Sequence, residues 1–402
     1  MKVIIRRGRI WTGVIGEAIA EKSILIDQDR IEALYEFRHE PKLPPDVEEI
    51  DAQGKMILPG LINIHTHISL DASADPMTTA LKDGPYICLI KALGFAKEYL
   101  NAGITTIRDL GGFEGIDLAL KKAINQGIVI GPRMLVSAKA LCMTGGHVSF
   151  MGVEIDGADS ARHAARLQLK NGADVIKLMA TGGVCTPGVE PGASQLTLDE
   201  MKAAVEEAQK AGKHSASHAQ GAQGIKDAIR AGVTSIEHGI YLDDEAIQMI
   251  LRQGVYLVPT LSAPYFINKN RMEVPEFIAY KNEQVMKAHS ENFKRAHQAG
   301  VKIALGTDSG TPFNPHGTVL KEVELLIQNG LSPEEALSAG TRVAADALGL
   351  GNEIGTIEVG KLADIVAVNG DPFGDYQLLA NVDWVMKEGK TVYRADKEKG
   401  LF

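Results

Sequence analysis

His65, Thr66 and His67 place two imidazoles two residues apart at the end of the apolar run ILPGLINIH. In a strand, residues two apart face the same side, so both rings can serve one site. Four further groups able to bind a cation close other short apolar runs: Lys177 in DVIK, His218 in HSASH, His238 in TSIEH and Asp308 in KIALGTD. Each has an ordinary reading on its own. Lys177 can be a lysine snorkelling from a strand end, His218 and His238 core histidines, and Asp308 a turn cap. Six such groups at the same relative place in five runs are not what packing alone produces. The chemistry they predict is metal-assisted, with imidazole nitrogen and carboxylate oxygen suiting zinc first, then manganese, cobalt or iron.

Ligands placed this way need a repeating scaffold. Between residues 58 and 356 the chain alternates short apolar strands with amphipathic helical stretches, the pattern of βα units. The eight strand candidates are ILPGLINIH, TTIRDLG, RMLVSA, DVIKLMA, HSASHA, TSIEHG, VYLVPT and KIALGTD. Helices follow most of them, and TLDEMKAAVEEAQKAG opens with a Thr-x-x-Glu cap at Thr197 and Glu200. The expected fold is α/β, a (β/α)8 TIM barrel with its active groups at the C-terminal strand ends; a doubly wound sheet shares the alternation. Helices between about 317 and 348 follow the eighth strand and are expected on the outside. Residues 1–57 and 357–402 have a strand-and-turn texture instead, as in SILIDQDRIEALY and VDWVMKEGKTVYRA. Neither piece is long enough alone, so both termini are expected to build one small β-sandwich domain.

The 402 residues suffice for one barrel and an accessory domain, and 42 glycines suit an α/β enzyme rich in turns. A net charge of -9 argues against nucleic acid or an anionic membrane as partner. Cys88, Cys142 and Cys185 form no CxxC pair and read as reduced thiols of a cytoplasmic protein. MKVIIRRGRIWTG lacks the apolar core of a signal peptide, and no apolar run reaches the length of a membrane span.

The motifs PGLINIHTH, VIKLMATGGV, SHAQG, IEHG and GTDSG resemble those of the binuclear amidohydrolases. Within that superfamily they are most similar to the imidazolonepropionase-related group with prolidase-like dipeptidases and carboxypeptidases, over almost the whole chain. The resemblance implies two divalent metal ions. His65, His67 and Asp308 would hold the more buried ion, His218 and His238 the more exposed one. Lys177 would be carboxylated at its side-chain nitrogen, giving an anionic bridge where a protonated lysine would repel both cations. Many relatives carry Asp where this chain has Asn63, a position that is not a ligand. A metal-bridging hydroxide is nucleophilic at neutral pH; Asp308 would take its proton and pass it to the leaving amine. His147 in TGGHVSF matches a histidine that assists the carbonyl oxygen, its ordinary reading being an exposed loop residue. Tyr241 in IEHGIYLDD resembles a tyrosine that holds the substrate's terminal carboxylate, or else it is a half-buried rim residue.

The leading expectation is hydrolysis of amide C–N bonds in a dipeptide, at a C-terminal amino acid or in an N-acyl amino acid. The alternative is ring opening of a cyclic amide of the imidazolonepropionase, lactam or hydantoin type; a remote one is a non-catalytic scaffold protein. A homo-oligomer is expected from the relatives. The segments SLDASADPMTTALKDGPY and SAPYFINKNRMEVPEF read as long loops that set specificity. His214 reads as core packing, and Asp109, Arg108 and Lys139 stay undecided. His39, His163, His289, His297 and His316 sit in no motif, and Cys185 has no recognisable basic partner.

Overall fold

The strand-rich termini meet in one sheet. In the computed structural model, which describes residues 2–36 and 39–395, Lys2–Ile10 pairs antiparallel with Ala20–Asp27 and parallel with Glu48–Asp51 and Lys55–Pro59. Ile365–Asn369 pairs antiparallel with Lys55–Pro59 and brings in Val382–Lys387 and Lys390–Arg394. Arg30–Glu36 completes an eight-stranded sheet to which both ends of the chain contribute. Alternation packs one face around Ile5, Ile24, Ile57, Ile365 and Trp384. The last stretch of the expected terminal domain, 396–402, lies outside the described residues.

ILPGLINIH divides between two sheets. Lys55–Pro59 belongs to the terminal sheet, whereas Leu61–Thr66 begins a parallel one. Gly60 is the crossing point, because a Cβ there would stand 2.2 Å from Thr105 Oγ1. Leu61–Thr66, Ile104–Asp109 and Arg133–Val136 form three parallel strands. Val175–Met179, His214–Ala219, Ser235–His238 and Tyr256–Val258 continue in a six-stranded parallel sheet. That sheet is completed by Ala140–Met143 and Gly152–Ile155, two short strands the sequence reading lacked. The two parallel sheets touch through Asp174 N, which donates to Val136 O at 2.8 Å.

KIALGTD, expected as the eighth strand, is an extended segment without regular ladder pairing. It still bonds on both sides: Ala304 N to Leu257 O at 3.0 Å, Ile64 N to Leu305 O at 3.0 Å, and Asp308 N to His65 O at 2.8 Å. Two residues prevent a regular ladder. The Asn63 side chain takes the Thr307 N–H (3.1 Å), and Asp308 adopts a φ of 60°.

Helices separate the parallel strands. Leu198–Lys210 buries Met201, Ala204, Val205 and Ala208 along one stripe, and Thr197 and Glu200 form the expected capping box. The two supposed specificity loops are largely helical. Pro76–Asn101 follows the first parallel strand, with a break at Gly84 (φ 71°) ahead of Pro85. Ser262–Lys269 and Glu276–Gln298 follow Tyr256–Val258. Turn-forming residues in both segments disguised helices whose register is set by packing. Leu320–Gln328, Pro333–Ala339 and Arg342–Ala347 come after residue 308, where helices were expected.

Candidate active site

Parallel strands deliver their ends to one place, and most of the singled-out residues arrive there. His65, His67, His147, Lys177, His218, His238 and Asp308 all line a single cavity. The imidazoles pack as a chain: centroid separations are 5.4 Å for His65–His67, 5.2 Å for His65–His238, 4.6 Å for His218–His238 and 4.4 Å for His147–His218. Asp308 Oδ1 lies 3.4 Å from His65 Nε2 and 3.1 Å from His67 Nε2, yet it has no aligned hydrogen-bond donor. Ligands each about 2.0–2.2 Å from one cation stand roughly 3–3.6 Å apart. Ligand atoms of His65, His238 and Asp308 also fall within 4.8 Å of one another. This donor set fits a divalent metal ion.

Electrostatics favour the protonation states that ligation needs at every candidate ligand but His67. Burial lowers the pKa of His67, but the hydrogen bond and charge of Asp308 outweigh it and raise the value. Burial holds His65, His218 and His238 well below the ordinary histidine pKa, with Lys177 adding to the effect, so each ring offers a lone pair. Burial opposes the ionised Asp308 carboxyl, but His65 and His67 beside it keep its pKa below the usual range. Lys177, 1% exposed, is pushed down to about 8 by burial. Its amine can thus shed its proton near neutral pH.

Second partners fix the rings. Glu237, fully buried, accepts from His65 Nδ1 at 2.7 Å, and Arg108 Nη2 and Ser235 Oγ bond its other oxygen at 2.9 and 2.5 Å. Arg108 Nε reaches back to the Ile64 carbonyl at 2.7 Å. This network orients the first ligand from behind. His238 Nδ1 meets Thr260 Oγ1 at 2.7 Å, and His147 Nδ1 meets Thr186 Oγ1 at 2.9 Å. A Cβ on Gly183 would lie 2.5 Å from His147 Nε2 and 2.9 Å from His218 Cε1, so glycine lets these two rings approach. His238, Thr260 and Asp308 have φ of 71°, 52° and 60°, strain of the kind that gathers at functional sites.

Residues outside the metal set have other roles, and Lys139 pairs with Glu114 at 3.3 Å. Asp109 is a turn anchor: its Oδ2 accepts from Ile68 N at 2.6 Å and shapes the chain just after His67. Asn63 both donates to Thr307 Oγ1 (2.8 Å) and accepts from Thr307 N (3.1 Å), which an ionised aspartate could not do. His316 Nε2 donates to Leu70 O at 2.7 Å while Tyr99 bonds its Nδ1 at 2.8 Å, tying two loops beside the site. His214, expected in the core, is half-buried, bonds Thr234 at 3.2 Å and does not line the cavity. Cys185 touches the cavity, but burial pushes its thiol up to about 12, which removes it as a nucleophile.

Tyr241 is not brought in with the others. It is half-buried and packs against the cluster of Val184, Ile240 and Ile267, which line the cavity where Tyr241 does not. Three buried residues missed by the sequence reading do line it: Gln220, Asn282 and His289. Gln220 stands two residues after His218, which was a usable signal, whereas the other two depended on the phase of a helix read partly as loop.

Comparison with known proteins agrees with this geometry. The family model described as "Amidohydrolase family" matches residues 56–392. Ochratoxinase from Aspergillus niger is 30% identical over 367 residues, 83% of this chain and 75% of that protein. An imidazolonepropionase from Caldanaerobacter subterraneus subsp. tengcongensis is 26% identical over 369 residues, 82% of this chain and 80% of that protein. A crystal structure of a Xaa-Pro dipeptidase with methionine bound in its active site superposes with a TM-score of 0.91. It is 32% identical and covers 98% of this chain and 100% of its own. The chain belongs to the amidohydrolase family and is an enzyme that hydrolyses C–N bonds.

Proposed function

We propose a binuclear metallo-dipeptidase or carboxypeptidase-like amidohydrolase. Its parallel strands would close as a (β/α)8 barrel over 58–356, with a β-sandwich from 1–57 and 357–402. The observation that carries the reading is the approach of His65 and His67 to an unpartnered, buried Asp308 oxygen in a cavity shared with Lys177, His218 and His238. His65, His67 and Asp308 would hold one ion, His218 and His238 the other, with Lys177 between them as a carbamate made from its neutral amine and carbon dioxide with loss of a proton. Zinc suits this nitrogen and oxygen set best. Such ions acidify water and polarise a carbonyl.

The chain's own groups do the rest. Asp308 takes the proton released as water adds to the carbonyl and returns it to the departing nitrogen, so a C–O bond replaces the C–N bond. His147 lines the cavity, neutral because burial pushes it down to about 3, and Thr186 holds its Nδ1, which leaves Nε2 for a substrate. A donor there steadies the developing oxyanion. Tyr241, which does not line the cavity, could hold the substrate's terminal carboxylate only if the substrate extends past Ile240 or the ring turns inward. The free thiols suit the cytoplasm, and among the described residues no helix is long and apolar enough to cross a membrane.

The deciding experiment assays zinc-loaded enzyme, with its metal content measured, against dipeptides, N-acyl amino acids and cyclic amides. About two metal ions per chain with dipeptide turnover is the expected result. Turnover of cyclic amides alone would transfer the metal chemistry to the ring-opening reading, which the similarity to imidazolonepropionase favours. Absence of bound metal and of all turnover would leave a scaffold protein.

A further inference from the structure

Helix Glu276–Gln298 turns one stripe toward the cavity that the hydrolytic chemistry does not use. Asn282, Val285 and His289 stand at i, i+3 and i+7, and all three line the cavity. Asn282 and His289 are 1% and 2% exposed. Each spends a donor on the scaffold: Asn282 Nδ2 uses one of its two N–H groups on Pro264 O at 2.9 Å, and His289 Nε2 donates to His238 O at 3.1 Å. Two acceptors, Asn282 Oδ1 and the bare His289 Nδ1, are buried and without a partner. Gln220 adds a third from another loop, for its Oε1 is also buried and unpartnered.

A buried acceptor left unpaired costs about 1–3 kcal/mol. Three on one cavity point to a ligand that brings donors. We propose, on the reading of this cavity as the amide-hydrolysing site, that the enzyme selects substrates with an uncapped amino group. Its N–H donors answer the acceptors of Asn282, His289 and Gln220. An ammonium has three donors and no acceptor. Acylating that nitrogen removes the charge and two donors, and it sets a carbonyl oxygen against atoms that themselves accept. Among the described residues no arginine lines the cavity and its lysine is Lys177, so little there favours an acidic cap. Unblocked dipeptides are therefore the substrate class, ahead of N-acyl amino acids.

The test compares dipeptides with their N-acetyl derivatives on metal-loaded full-length protein, using the ratio of kcat/KM as readout. Asn282→Leu removes the acceptor; Asn282→Asp keeps an acceptor there; both lose the bond to Pro264. Wild type should prefer the free amine. Asn282→Leu should cut that preference at least about tenfold, the scale of one hydrogen bond to a charged group, whereas Asn282→Asp should keep or raise it. Equal effects of the two variants would reduce Asn282 to a packing role and overturn the proposal. So would a wild type that prefers the acetylated form. In either case turnover would leave the dipeptidase reading standing; if wild type cleaves neither form, the dipeptidase reading and this proposal fail together and the ring-opening alternative takes their place.

Discussion

Glu237 sits between a ligand and a counter-charge, bonded to His65 Nδ1 at 2.7 Å and to Arg108 at 2.9 Å with no exposure to water. A carboxylate there fixes the tautomer of His65, leaving Nε2 bare for the cation, and its charge offsets the buried guanidinium. Glu237→Gln should weaken metal binding about 10- to 100-fold, read by competition with a chelator, and Glu237→Asp should restore part of it. Unchanged affinity in the Gln variant would show that Glu237 serves only Arg108. The sequence pointed to His65, His67, His218 and His238 because strand ends declare themselves by local pattern, and to His147 through the family resemblance, but not to His289. It did not point to Glu237, one residue from His238 in IEHG: nothing local says that a carboxylate on the neighbouring position reaches a histidine 172 residues away.

At the scale of an element, Asp117 shows how a helix start is tied to the strand before the next one. It occupies the first turn of Ile116–Asn125 and accepts from Ala138 N at 2.9 Å, while its other oxygen has no partner. Burial pushes its carboxyl up from 3.8 to about 6. Because the folded value is the higher one, the native state holds the proton more tightly. The stabilisation is complete below the unfolded pKa and is lost as pH rises through the folded one. The loss falls between roughly pH 4 and 6. Asp117→Asn should flatten that slope, so the melting temperatures of the metal-free proteins should draw apart as pH rises, the variant gaining. Parallel curves would place the carboxyl's proton elsewhere. Element type was legible wherever period and cap agreed, as in Leu198–Lys210. It was not legible in Ser262–Lys269 and Glu276–Gln298, where Pro264, Pro275 and the asparagines imitate a loop. There the buried stripe from Ile278 to Ala296 is fixed by what lies beneath it.

For the whole molecule, the surface of Pro76–Asn101 carries an argument about assembly. Beyond its break at Gly84, Tyr86, Ile90 and Leu93 follow at i, i+4 and i+7, with Ile87 beside them, and are 82%, 64%, 36% and 46% exposed respectively. Large apolar side chains in one stripe are costly to leave in water, and an apolar stripe is what a helix offers to another copy of itself. The same helix is pinned to the active-site side of the fold, since Lys91 bonds both Asp83 (2.6 Å) and Asp71 (2.7 Å), four residues after His67. Covering the stripe would therefore steady the turn that follows two of the candidate ligands. On the proposal that the protein is a homo-oligomer, wild type should sediment at a multiple of 43.1 kDa. Ile90→Glu places a charge in the middle of the stripe, where an interface would have to desolvate it at a cost of several kcal/mol. That variant should sediment as a monomer, bind metal normally and melt earlier. Wild type sedimenting as a monomer would show the stripe to be simple surface, and an oligomer unaffected by Ile90→Glu would put the interface on another face.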